Sequence, residues 1–186
     1  MPSIDSAKIL IVSTHGFEQS ELEVPRDQLR AKGAQVDVAS LDGQPIKGWD
    51  GSDWGREVTA DLKLADVDPD AYHALVIPGG QINPDLLRVE DDVIALVNHF
   101  DHAGAVIAAV CHAPWVLIES GVAKGRDMTS YHSIKTDVTN AGANWINAEV
   151  VVDKGIVTSR NPGDLDAFVA KIVEEVETGK HDRAAA

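Results

Sequence analysis

The only cysteine of the chain, Cys111, stands in the run Ala108-Ala109-Val110-Cys111-His112-Ala113-Pro114. An apolar stretch over residues 105–110 stops at the thiol, and a helical pattern resumes shortly after it. This is how a strand delivers a nucleophile onto a sharp strand-to-helix turn, where the crowded backbone admits only small residues two before and two after. Both of those positions, Ala109 and Ala113, are alanine. A free thiol, with a pKa near ~8.5, needs help to attack at neutral pH. His112, the next residue, is positioned to act as base or as ion-pair partner. A buried cysteine that serves only as a small hydrophobe is the competing reading.

Ligands of an open parallel sheet bind beyond the carboxyl ends of its strands, so the residues that follow other apolar runs matter next. After residues 8–12 come Thr14, His15, Gly16, Phe17, Glu18 and Glu21, and after residues 74–77 come Gly79 and Gly80. Glu21 and Glu18 are candidates for a buried carboxylate that shares a proton with the sulfur. As first-turn acids they would equally answer to a helix macrodipole. Gly79 and Gly80 allow backbone N–H groups to point inward as an oxyanion hole, with the N–H of His112 as the second donor; ordinary turns carry such glycines too. His15, Tyr131 and His132 are expected to line the pocket. His73, His99, His102 and His181 are expected at the surface.

The elements that must position these groups follow from hydrophobic period. Short apolar runs at 8–12, 35–39, 74–77 and 105–110 read as strands, and 149–153 with 156–159 read as a pair around Lys154-Gly155. Helical spacing covers 21–32, 89–102, 115–120, 136–141 and 164–178. Residues 42–60, rich in Gly with Pro45, Trp49 and Trp54, predict turns and short edge strands. Trp49, Trp54 and Trp115 are either interface anchors or core. Strand–helix–strand alternation predicts right-handed parallel units and one α/β sandwich over residues 7–179. Residues 1–6 form an N-terminal extension, and 180–186 a tail without core-forming pattern, expected to be disordered.

Composition excludes several functions. Thirty acidic against 16 basic residues give a formal net charge of −14, the wrong sign for binding phosphate of nucleic acid or anionic membrane. No apolar run approaches the roughly 20 residues of a membrane span. One cysteine cannot supply a structural zinc site, and neither a phosphate-binding loop nor a dinucleotide fingerprint is present; no metal or cofactor is expected. A lone cysteine and no visible secretory signal fit a reducing, cytoplasmic setting.

A set of motifs in order carries a family resemblance: Phe17-Glu18-Gln19-Ser20-Glu21, Val76-Ile77-Pro78-Gly79-Gly80, Ala109-Val110-Cys111-His112-Ala113-Pro114, Thr129-Ser130-Tyr131, Asn140-Ala141-Gly142-Ala143 and Thr158-Ser159-Arg160-Asn161-Pro162. The chain resembles the PfpI-like branch of the ThiJ/PfpI superfamily, related to class I glutamine amidotransferases, from about Lys8 to Val176. The resemblance implies a flavodoxin-like three-layer sandwich with a mainly parallel sheet and Cys111 as nucleophile on its elbow. It further implies His112 beside the thiol, Glu21 against it, and Asp85 as a third acid supplied by a neighbouring subunit of a dimer or hexamer. Activities implied are glyoxalase, deglycase or peptidase, in the setting of a stress protein, on a small aldehyde, glycated protein or peptide. A non-enzymatic redox sensor, oxidised at Cys111, stays open beside them.

Overall fold

The computed structural model of the protein describes residues 2–183. Its first strand, β1 (Lys8–Val12), sends Ile9 and Ile11 into one core and Leu10 and Val12 into another. A strand buried on both faces has no polar side to alternate with, which is why it reads as a continuous apolar run. After α1 (Gln19–Ala31) the chain returns through β2 (Gln35–Ser40). A hairpin of β3 (Ile46–Asp50) and β4 (Asp53–Val58) and the short β5 (Leu62–Lys63) follow. Then come β6 (Ala74–Ile77), α2 (Ile82–Leu87), α3 (Asp91–His102) and β7 (Val106–Val110), which leads into α4 (Pro114–Glu119). The last third comprises β8 (Asp127–Met128), α5 (Lys135–Asn140), β9 (Asn144–Trp145), β10 (Val150–Asp153), β11 (Ile156–Ser159) and α6 (Leu165–Thr178).

Seven strands form one sheet in the order β10-β11-β7-β6-β1-β2-β5, parallel throughout except for β10 against β11. Helices α1 and α6 pack together over one face. Helices α3, α4 and α5 supply the other core. In α6 the buried residues are Leu165, Phe168, Val169, Ile172 and Val176, one stripe at helical spacing. The result is the three-layer, flavodoxin-like sandwich that the resemblance implies. From β1 the chain runs outward to β2 on one side and later enters β6 on the other, so the strand order reverses between β1 and β6. Parallel strands put the ends of β1, β6, β7 and β11 on one edge, and that reversal opens a crevice there.

Two features depart from the sequence expectation. Helix α2 lies where only a loop after the Pro-Gly-Gly turn was legible; Pro84 falls in its first turn, where its missing N–H costs nothing. The tail, expected to lose structure from Lys180, instead packs on the sheet's far edge as far as Arg183. His181 N–H donates to Gly104 carbonyl at 2.8 Å, so close that a side chain on residue 104 would meet His181 at 2.3 Å. Arg183 donates to the carbonyls of Phe100, Asp101, Ala105 and Lys154. Burial pulls its guanidinium down to about 10, with Asp101 opposing the shift. Residues 184–186 of the expected tail lie outside the described residues. Charge-assisted hydrogen bonds contribute roughly 1.5–3 kcal/mol each, but the cost of burying the guanidinium offsets most of the four, so Arg183→Ala is expected to lower the unfolding free energy by about 2 kcal/mol in urea titration, leaving the thiol chemistry at the other edge unchanged.

Candidate active site

Cys111 ends β7 in a left-handed backbone conformation, φ 64°, which costs a residue with a side chain of order 1 kcal/mol or more. Three hydrogen bonds hold the turn: Cys111 N–H to Ser159 carbonyl (3.0 Å), Tyr131 N–H to Cys111 carbonyl (2.8 Å) and Ala113 N–H to Val110 carbonyl (3.0 Å). Ala109 and Ala113 are fully buried, as the small-flank argument requires. The conformation lifts the sulfur over the sheet edge, where His112 Nδ1 lies 3.1 Å away. The far nitrogen of that ring, Nε2, pairs with Ser133 Oγ at 3.1 Å. Tyr131 stacks on the imidazole at 4.9 Å and Trp115 meets it edge-on at 5.2 Å.

Glu21 is completely buried. Its Oε2 accepts the N–H groups of Gly79 (3.0 Å) and Gly80 (3.2 Å), whereas Oε1 is buried without a hydrogen-bond partner, in a carboxyl that interacts with the neighbouring Cys111 thiol. Gly79 admits no side chain, because a Cβ there would sit 2.4 Å from Glu21 Oε2 and 2.6 Å from Cys111 Cβ. Gly80 takes a left-handed turn (φ 77°). Its N–H, with that of His112, faces the sulfur.

Burial dominates the electrostatics. It pushes Glu21 up to about 8, with the charge of Glu18 adding to the shift. Burial raises the thiol of Cys111 as well, and the Glu21 charge reinforces it. Burial lowers His112, with His132 adding to the effect. The resting pair is therefore neutral, thiol and imidazole, with a carboxyl beside them that holds its proton near neutrality. A cavity of about 600 Å³ opens onto these groups, lined also by Glu18, Trp49, Ile82, Tyr131 and Pro162. Glu18 is itself raised, by burial and by Asp50. Among the described residues no cluster of His, Cys, Asp or Glu is arranged to hold a metal ion, and no helix is long and apolar enough to cross a membrane.

A family model described as DJ-1/PfpI family matches residues 7–175. The chain belongs to the DJ-1/PfpI family. Among its relatives, Deglycase TK1284 of Thermococcus kodakarensis is 43% identical over 167 residues, 90% of this chain and 98% of that protein. Protein/nucleic acid deglycase 2 of Escherichia coli is 39% identical over 165 residues, 88% and 94% of the two chains. The crystal structure of Drosophila melanogaster DJ-1beta superposes with a TM-score of 0.83 at 32% identity, covering 92% of this chain and 94% of that one.

Of the residues that the DJ-1/PfpI resemblance and strand-end reasoning single out, the fold brings Cys111, His112, Glu21, Gly79, Gly80, Glu18 and Tyr131 to one crevice. It does not bring His15, which is exposed and accepts the Lys47 N–H at Nδ1. His132 is exposed, its ring 4.4 Å from that of Tyr131. Asp85 sits on the outer face of α2, with Arg88 at 3.9 Å as its partner, away from His112 of the same chain. Trp49 lines the cavity and Trp115 contacts His112, whereas Trp54 is 46% exposed. Sequence reasoning missed Pro162 and Ser133. Pro162 was reachable, because β11 runs parallel to β7 and its end must open on the same edge. Ser133 had no such signal; its place depends on a loop that folds back over the thiol.

A carboxyl raised from 4.5 to about 8 contributes full stability below pH 4.5 and loses it as pH rises to 8. Glu21→Gln removes that loss while keeping an acceptor for Gly79 and Gly80. The substituted protein is expected to be more stable than the parent at pH 7, by about 3 kcal/mol at one pKa unit per 1.36 kcal/mol. The gap should narrow toward pH 5. Urea unfolding at both pH values checks it, and a variant less stable at pH 7 would contradict the burial argument.

Proposed function

We propose that this member of the family is a cysteine-dependent enzyme of deglycase type, acting on reactive dicarbonyls and on the adducts they form with protein. The observation that carries the reading is Glu21: a buried carboxyl fixed by two backbone N–H groups at one oxygen, with the other oxygen left for the atoms bonded to sulfur. A pKa near neutrality suits a group that must both take and give a proton. The names of the relatives agree with it, and a crevice of about 600 Å³ accommodates a dicarbonyl adduct, not a folded protein.

The sulfur attacks the aldehyde carbon of methylglyoxal while the thiol proton passes to His112 Nδ1. The oxyanion that forms is held by the N–H of His112 and by that of Gly80, which it shares with Glu21 Oε2, and His112 returns the proton to give a hemithioacetal. On a glycated amine the same sulfur displaces the amine at the carbinol carbon, the proton leaves with the amine, and the same hemithioacetal results. Glu21 as carboxylate takes the C–H proton from the carbon bonded to sulfur, giving an enediol once the hydroxyl proton has passed to the neighbouring carbonyl oxygen, and then delivers its proton to that neighbouring carbon. That carbon is reduced to an alcohol as its neighbour is oxidised to a thioester. Water, activated by His112, hydrolyses the thioester to lactate and regenerates the thiol.

Lactate formation from methylglyoxal, and amine release from a methylglyoxal-treated peptide, are expected for the parent protein and absent for Cys111→Ala. The rate should rise with pH through about 8 as Glu21 ionises. Glu21→Gln should abolish that limb and cost about 100-fold in kcat, in the range of lost acid–base catalysis. Equal background rates in parent and Cys111→Ala would overturn the reading and return the thiol to the roles of peptidase nucleophile or redox sensor.

Self-association belongs to the same proposal. Helix α2 and the residues after it expose Ile82 (39%), Leu86 (44%) and Val89 (70%) around Asp85, an apolar patch suited to a second copy of the chain. Sedimentation equilibrium is expected to give a mass above that of one chain, reduced to a single chain by Leu86→Arg. A single-chain mass for the parent would contradict it.

A further inference from the structure

The family resemblance gives His112 an orienting acid from another subunit, yet within one chain the outer nitrogen of its ring is already occupied. Ser133 Oγ stands 3.1 Å from Nε2, on a single turn of 3-10 helix, His132–Ile134. Buried Ile134 and the Tyr131 N–H bond to Cys111 carbonyl tie this turn to the elbow itself. We infer that Ser133 is a positioning residue for His112, accepting the Nε2 proton and so turning the Nδ1 lone pair toward Cys111.

The direction of the bond follows from the sulfur side. A hydroxyl can donate or accept, and a neutral imidazole carries one N–H. Of the two neutral tautomers, the one with the proton on Nε2 and Ser133 as its acceptor is the one that leaves Nδ1 bare 3.1 Å from the sulfur, where it can take the thiol proton. When Nδ1 takes the thiol proton, Nε2–H still donates to Ser133, and the bond persists through the transfer. Tyr131 stacks on the ring and Trp115 meets it edge-on, which limits its swing and leaves its tautomer to be set by its hydrogen bonds. A hydroxyl orients without adding negative charge. A carboxylate in its place would raise His112, whereas here burial and His132 hold it down. Ser133 thus orients a neutral base without building a thiolate–imidazolium pair.

This rests on Cys111 and His112 acting as proposed above, so the test reads orientation separately from turnover. Long-range proton–nitrogen spectra of histidine-labelled full-length protein report the His112 tautomer, and iodoacetamide alkylation at fixed pH reports thiol reactivity. The parent is expected to show a single Nε2–H tautomer. Ser133→Ala should mix the tautomers and lower kcat on methylglyoxal about tenfold with KM nearly unchanged, the order of one hydrogen bond. Ser133→Thr should restore both. Ser133 is exposed, so these variants do not disturb the core. A Ser133→Ala protein that keeps the single tautomer and its kcat overturns the inference. So does a tautomer that responds to Asp85→Asn and not to Ser133→Ala, since His112 would then take its partner from a second copy. If the parent forms no lactate, the function fails, and the inference is judged on tautomer and alkylation: a change in Ser133→Ala upholds it and none overturns it.

Discussion

Everything at the candidate site hangs on one buried carboxyl accepting two consecutive backbone N–H groups. Glu21 comes from the first turn of α1, and Gly79 and Gly80 from the end of β6. The contact joins the two sides of the crevice at the point where strand order reverses, beneath the sulfur delivered by β7. An acid placed there without those donors would be an uncompensated polar group in a dry interior. With them, one oxygen is satisfied and the other is left for chemistry. Gly79 is required by the same contact, since any side chain would occupy the space of the carboxyl oxygen.

The consequence for the thiol runs against the usual picture of an activated cysteine. Among the described residues, the neighbours that set the sulfur's electrostatics are a buried acid, a histidine lowered by burial, and backbone dipoles. Such a site holds protons in its resting state and moves them singly. That suits a reaction in which a hydrogen on carbon is relocated better than one demanding a permanently ionised nucleophile.

Much of this was legible in the sequence because both-faced burial leaves a simple mark. Runs such as Ile9-Leu10-Ile11-Val12 and Ala74-Leu75-Val76-Ile77 could be read as strands, and parallel pairing then obliges their ends to converge. The alanines at 109 and 113 mark the elbow in the sequence, and the left-handed φ of Cys111 lies between them. What stayed hidden depends on how loops return. Ser133 is two residues beyond Tyr131, and nothing in residue type says that its hydroxyl faces an imidazole 21 positions earlier. His15 was misplaced for the converse reason: proximity to a strand end does not fix which way a loop side chain turns, and its ring is spent on the Lys47 N–H. Arg183 was unreadable because a guanidinium reaching four carbonyls shows no period at all.

That C-terminal arginine has a bearing on the order in which the molecule can be completed. Arg183 binds the carbonyl of Ala105, immediately before β7, and Cys111 lies at the opposite end of the same strand. It follows every strand of the sheet in chain order. During synthesis from the N-terminus, the strand bearing the nucleophile therefore acquires this tether only after the rest of the sheet has been made. A substitution in the segment from His181 to Arg183 therefore reaches the nucleophile's strand from the end opposite the thiol.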